Sequence, residues 1–312
     1  MANTIYLLDI SPVKLFKENY SIDAKYHTKH FNNAAYYDQI KPYEIAKYYK
    51  QKFQTNDSLY FQLVANFGPV EVLLVDCDGA TIVSGTDTAI STGFYTAPFY
   101  AYGCNIDLSA VAAGTYFVKV KIGSGGSLTT LISEPLQVAE DHPGTILYEY
   151  TNSKNEFGAI FQNGETFSFR CEGYIQDFTP GSNDVVYEDE PANLTRLSAV
   201  PYRAFKLAIG NEEGVPDWVA DRVNRIFACD DVLIDGKAFT RPQGSKMEKK
   251  SEEGYPMSGW LVELRESKAR NGATIENDIA LEDDVVVVYI ADTSLFGLTG
   301  GTGTDAIILK VE

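Results

Sequence analysis

Three groups of residues in this chain have the types and spacing to do chemistry. Asp76-Cys77-Asp78 sets two carboxylates two positions apart, the arrangement of an acidic clamp for a divalent cation in a sugar-transferring enzyme. His27 and His30 stand three apart, close enough for two imidazoles to share a metal if the segment is helical. Acidic neighbours recur at Glu188-Asp189-Glu190, Asp230-Asp231 and Asp283-Asp284, and two carboxylates held across a cleft can hydrolyse glycosides.

Each group has a plainer account. Asp78-Gly79 joins two strand-like runs, VEVLLVD and TIVSG, and Asp-Gly is a preferred two-residue hairpin turn because both positions must tolerate positive φ. A cation would need more oxygen ligands, and no other acid lies close in sequence. The reading is a turn. His27 and His30 lie in text without clean helical periodicity and read as surface imidazoles. The acidic pairs sit at strand and helix ends, where they keep a surface soluble.

Other chemistries lack their parts. The chain has three histidines, the third being His142, and none accompanies a Gly-x-Ser-x-Gly nucleophile turn. The segment Gly297–Thr304, GLTGGTGT, lacks the Lys-Ser/Thr ending of a phosphate loop and precedes a strand, so it reads as a connecting loop. Asn193-Leu194-Thr195 matches a glycosylation sequon, which needs a secretory route. The start, MANTIYLLDISPVKLF, has neither the basic region nor the long apolar core of a signal peptide. The expectation is a protein made in a cytoplasm that is not an enzyme. It assigns no catalytic residue, no cofactor-binding residue and no metal-binding residue.

The elements that would position any site are strands. Tyr (20) and Phe (17) far outnumber Trp (2), and aromatic and β-branched residues favour a pleated surface. A net charge of −17 repels nucleic acid and anionic lipid, and no apolar run is long enough to span a membrane. Residues 1–57 differ in balance, with eight lysines against six acids, which suits an extended arm docking on an acidic neighbour. Cys77, Cys104, Cys171 and Cys229 are widely spaced and read as reduced, largely buried thiols.

From Ser58 onward, SLYFQLVA, VEVLLVD, TIVSG, GTYFVKVKIG and SLTTLISEPLQVA are short runs separated by Gly, Asn, Asp and Pro. That rhythm predicts an immunoglobulin-like β-sandwich over residues 58–140. A polar break, Ala139–Gly144, precedes a second β-rich domain over 145–312. Within it, Val219, Val223, Ile226 and Phe227 fall on one helical stripe behind Pro216 and Asp217, predicting a packed helix at 216–228. Asn183–Ala192 reads as an acidic stretch, VLIDGKAFT as a hairpin turning at Asp235-Gly236, and Tyr43–Phe53 fits helix and strand alike.

Four stretches together carry a family likeness: DISPVKLF, FQLVANFGPVEVLLVDCDGA, ISEPLQVAEDHPGTILYEYTNSKNEFGAIF and GVPDWVADRVNRIFACDDVLIDGKAFTRPQGSKMEKK. They resemble uncharacterised structural proteins of tailed bacteriophages that infect Bacteroidetes, including relatives of the crAss-like phages. The resemblance spans most of the chain and rests on strand-and-turn phrasing, so it transfers no functional residue. It implies a virion component of the neck, tail or baseplate that works as a homo-oligomeric ring among other virion proteins. The alternative is a β-sandwich adhesin, a glycan-binding module at a tail tip.

Overall fold

Alternation of apolar and polar side chains builds most of the strands. In the computed structural model the described residues are 3–8, 10–17, 49–90, 95–161, 164–176, 178–188, 194–211, 214–250, 257–266, 285–288 and 307–310. The chain divides into two compact units, Met1–Ser267 and Lys268–Glu312.

The first unit begins with β1 (Ile5–Leu7), β2 (Leu15–Lys17) and β3 (Gln51–Gln54). Then follow β4 (Leu59–Ala65), β5 (Val70–Val75), β6 (Thr81–Ser84), β7 (Thr86–Ile90) and β8 (Tyr100–Ile106). The run ends with β9 (Gly114–Ile122), β10 (Thr129–Ser133) and β11 (Leu136–Ala139). One sheet has the order β1-β4-β8-β7. In the other, β5 lies between β6 and β9, while β10 and β11 share the far side of β9. There β2 extends β10, and β3 runs parallel to β11. The described parts of residues 1–57 are therefore strands of this sandwich.

This is an immunoglobulin-like topology, with an early strand parallel to the last and two sheets meeting face to face. Phe61, Leu63, Val72, Leu74, Val118 and Val120 fill the space between them. The Tyr116 hydroxyl donates to the Ala112 carbonyl at 2.9 Å, the corner that often marks such folds. Between β10 and β11 the Ser133 hydroxyl closes the gap, accepting the Val118 N–H and donating to the Glu134 carbonyl.

β4 is buried on both sides, which explains its nearly continuous apolar text. Leu59, Phe61 and Leu63 face the sandwich interior, while Val64 joins the core of the following domain. That domain opens with β12 (Thr145–Thr151), β13 (Phe167–Ile175), β14 (Thr179–Glu188) and β15 (Leu194–Ile209). After the helix α1 (Asp217–Ile226) come β16 (Asp231–Ile234), β17 (Lys237–Thr240), β18 (Glu248–Lys250) and β19 (Gly259–Glu266).

Antiparallel pairings run β13-β12-β16-β17-β19-β15, and β15 pairs back onto β13. The circuit is closed, so these strands bury their edges as well as one face. Ile146, Tyr148 and Tyr150 alternate inward from β12 and meet Phe167, Phe169 and Leu207 in one core. α1 lays Val219, Val223 and Ile226 onto the same core, each 0% exposed and contributing about 2 kcal/mol by burial. Pro216 caps its start, Asp217 opens its first turn and Arg225 closes its last, as the dipole favours.

The fold is mainly β, an immunoglobulin-like β-sandwich followed by a β-rich domain with one packed helix, as the residue patterns predict. In the unit Lys268–Glu312 the described part is an antiparallel pair, β20 (Val285–Val288) with β21 (Ile307–Lys310). No helix among the described residues is long and apolar enough to cross a membrane.

Candidate interaction surfaces

Among the described residues, those whose spacing suggests chemistry serve local turns and crossings and gather into no shared site. Asp76 is a turn residue: its Oδ1 accepts the N–H groups of Asp78 and Ala80 at 3.0 and 2.8 Å. Asp230 accepts the hydroxyl and N–H of Ser153, and those bonds hold its carboxyl below the usual range. Its own N–H donates to Asn152, so it clamps a turn. His142 is 9% exposed, with Nε2 at 3.1 Å from the carbonyls of Phe53 and Gln137, which fixes the crossing from sandwich to barrel.

Glu188 ends β14 on the surface, while Asp189 and Glu190 lie outside the described residues. So do His27, His30, Asn193, Asp283, Asp284 and Gly297–Thr304. Among the described residues, no three His, Cys, Asp or Glu side chains gather as a metal site. Of the cysteines, Cys104, Cys171 and Cys229 are buried, and burial pushes their thiols up, Cys229 to about 12. They stay protonated and unreactive. Cys77 departs from the expectation of burial because it stands on the exposed turn beside Asp76 and Asp78.

A different feature dominates the surface. Thr179–Glu188 and Leu194–Arg203 form a two-stranded ribbon outside the barrel circuit, where the sequence pattern suggests only an acidic stretch. Among the described residues, β14 pairs with β15 alone, and Leu194–Arg203 has no partner on the side that Ala204–Ile209 gives to β19. Ten residues of strand reach about 30 Å. Along it Val185, Val186, Tyr187, Leu194 and Leu197 are 54%, 47%, 58%, 70% and 64% exposed.

The register sorts the ribbon into two unlike faces. Asp184, Val186 and Glu188 share one face with Leu194, Arg196 and Arg203. Asp184 and Arg196 confirm it with an ion pair at 3.7 Å. Val185 and Tyr187 occupy the other face with Ser198 and Tyr202. A register shift beside Val185 leaves Leu197 as the extra residue of a bulge, which increases twist. The sequence carried a signal for this element: apolar residues at Val185, Val186, Tyr187, Leu194 and Leu197 flank a turn-rich Asp-Glu-Pro-Ala-Asn.

A second surface is a groove of about 730 Å³ on the outside of β13, β15 and β19. Tyr174, Ala208 and Leu261 lie side by side across it, flanked by Glu172, Gln176 and Asn211. Tyr174 is 49% exposed. Glu172 is held by the Tyr49 hydroxyl at 2.9 Å and faces the Lys52 ammonium at 3.6 Å.

One acid is buried with no motif in the sequence to mark it. Glu134, in the break between β10 and β11, is 1% exposed, and among the described residues its carboxyl oxygens make no well-formed hydrogen bond. Burial raises its pKa to about 8, although the N–H groups of Glu134 and Lys14 and the charges of Lys14 and Arg222 pull the other way. Its trace in the sequence is one acid inside the apolar text LISEPLQVA.

Comparison with protein-family models, curated proteins and solved structures finds no match.

Proposed function

We propose that this protein is a non-enzymatic structural component of a bacteriophage virion, a neck, tail or baseplate subunit working as a ring of copies beside other virion proteins. The observation that carries the assembly reading is the ribbon. An isolated two-stranded hairpin is at best marginally stable in water, and this one exposes large apolar side chains on both faces. Exposed apolar surface of this kind with unpaired strand edges is what strand addition between subunits uses. The virion assignment rests on the resemblance of the four quoted stretches. A net charge of −17 argues against nucleic acid as the partner of this surface.

The test is the particle itself. Mass spectrometry and electron microscopy of purified virions from the phage that encodes the chain should find it in many copies. Its absence from particles would exclude the reading.

A second reading, a glycan-binding module, is favoured by the groove. Tyr174 offers a ring to a pyranose face, and Glu172, Gln176 and Asn211 offer planar hydrogen-bonding groups around it. A glycan array would then give a signal that Tyr174→Ala removes, and an array without signal would end this reading.

A further inference from the structure

We propose that the ribbons of several copies join edge to edge, β14 of one copy pairing with β15 of the next, into a closed antiparallel barrel of strands. This rests on the structural reading above and names the surface, the occupant and the symmetry.

The occupant follows from the two edges. β14 and β15 run in opposite directions and each leaves an outer edge unpaired among the described residues. A foreign strand would satisfy one edge and leave the other bare. A second copy satisfies one, a third satisfies the next, and rotation closes the series without residue. The geometry stays antiparallel at every junction because each copy presents β14 on one side and β15 on the other.

Charge selects this arrangement. On the charged face β14 carries Asp184 and Glu188, while β15 carries Arg196 and Arg203. Setting β14 beside a neighbour's β15 brings acids to arginines, extending between copies the attraction that Asp184 and Arg196 already show within one. A two-fold contact of β14 with its own copy would set Asp184 and Glu188 against carboxylates, which is unfavourable. The junction is therefore head to tail.

The two faces then acquire sides. Val185 and Tyr187 line one surface of the assembled barrel, and Tyr202, whose ring the Arg265 guanidinium covers at 3.6 Å, continues that surface toward the protein body. Asp184, Glu188, Arg196 and Arg203 line the other. Pro180, which has no N–H to donate, marks the end of the ribbon nearest the protein body, where intermolecular pairing stops.

Sedimentation velocity on three full-length chains tests this: the unaltered protein, an acid-reversed chain (Asp184→Lys with Glu188→Lys) and an arginine-reversed chain (Arg196→Glu with Arg203→Glu). The unaltered protein should form one discrete oligomer. Each reversed chain alone should associate at least about tenfold more weakly, and an equimolar mixture should recover association. Unchanged thermal midpoints establish that the ribbon variants still fold, since the ribbon lies outside the core. The proposal is overturned if the unaltered chain is monomeric at its highest soluble concentration. Association of the reversed chains like the parent, or a mixture that fails to recover, overturns it as well. Chains that associate regardless of the ribbon, yet are present in virions, defeat this inference alone. Chains that assemble through the ribbon but are absent from virions defeat the virion reading instead.

Discussion

Arg170 on the barrel and Asp57 on the sandwich form a bidentate ion pair, Nε to Oδ2 and Nη2 to Oδ1, both at 2.7 Å. Their side chains are 8% and 2% exposed. Asp57 also accepts the Gln54 N–H at 2.7 Å, and Arg170 reaches the Thr145 hydroxyl at 3.2 Å. Two charges taken from water together are tolerable because both carboxylate oxygens and all three guanidinium nitrogens have a hydrogen-bond partner. Removing one leaves the other stranded.

Arg170→Met should therefore destabilise the protein by about 3–5 kcal/mol, far above an exposed ion pair. Asp57→Leu should cost a similar amount, including its lost turn bond to Gln54. The pair Asp57→Leu with Arg170→Met should cost much less than the sum, because neither charge is then left alone. Urea denaturation of the four proteins measures this. Additive losses would show that the pair is not coupled.

Glu134 gives the stability a pH dependence of definite sign. Its folded pKa, about 8, lies above the ordinary carboxyl value of 4.5, so the folded state favours the protonated form. Stability from this group is complete below about pH 4.5, declines as pH rises, and is gone above about pH 8. Glu134→Gln keeps the shape without the proton. Its stability should change less between pH 5 and pH 9, and above pH 8 it should exceed the parent by on the order of 3 kcal/mol. Identical pH profiles for the two proteins would remove Glu134 from this role.

The two Asp-Gly turns look alike in sequence and differ in structure. Asp235 and Gly236 have φ of +47° and +76° and join β16 to β17 directly, the two-residue turn that the dipeptide predicts. At Asp78-Gly79 only Gly79 has positive φ, +82°, and the Gly79 N–H donates to the Asp76 carbonyl. That loop is longer, organised by the Asp76 side chain rather than by two left-handed residues. Gly236→Ala and Gly79→Ala should each cost about 1 kcal/mol through φ alone, since a new Cβ at either glycine meets open space. Asp76→Ala should add to the loss in the first loop by removing two further hydrogen bonds. Thermal melts of the three variants check this.

These turns show which parts of the molecule the sequence makes legible. Strand and helix periodicity report on a side chain's own neighbourhood, so Val219, Val223 and Ile226 announce a helix and Val118 and Val120 a strand. Barrel closure depends on β15 meeting both β13 and β19, a register between distant segments that no local pattern carries. The ribbon was hidden for a related reason. A strand exposed on both faces has no one-sided apolar alternation, so Asn183–Ala192 reads only as an acidic stretch. Arg170 and Asp57, 113 residues apart, are ordinary charged residues until the fold buries them together.

Gln62 supplies the last test of how sandwich and barrel are joined. It is 2% exposed on β4, and its amide forms a matched pair with the backbone of Ile160, Nε2 donating to the carbonyl and Oε1 accepting the N–H, both at 2.9 Å. The side chain thus acts as one more strand residue for a segment with no strand partner there. Gln62→Leu would fill similar volume but leave a buried N–H and C=O unsatisfied, a loss of about 2–4 kcal/mol. Gln62→Glu should be worse near neutral pH, because a carboxylate cannot donate to the Ile160 carbonyl and must be buried charged or take up a proton. Hydrogen exchange at the Ile160 amide separates this from general loosening. Its protection should fall in Gln62→Leu well before that of Val118 or Phe169, and equal protection at all three sites would show that Gln62 does not hold this segment.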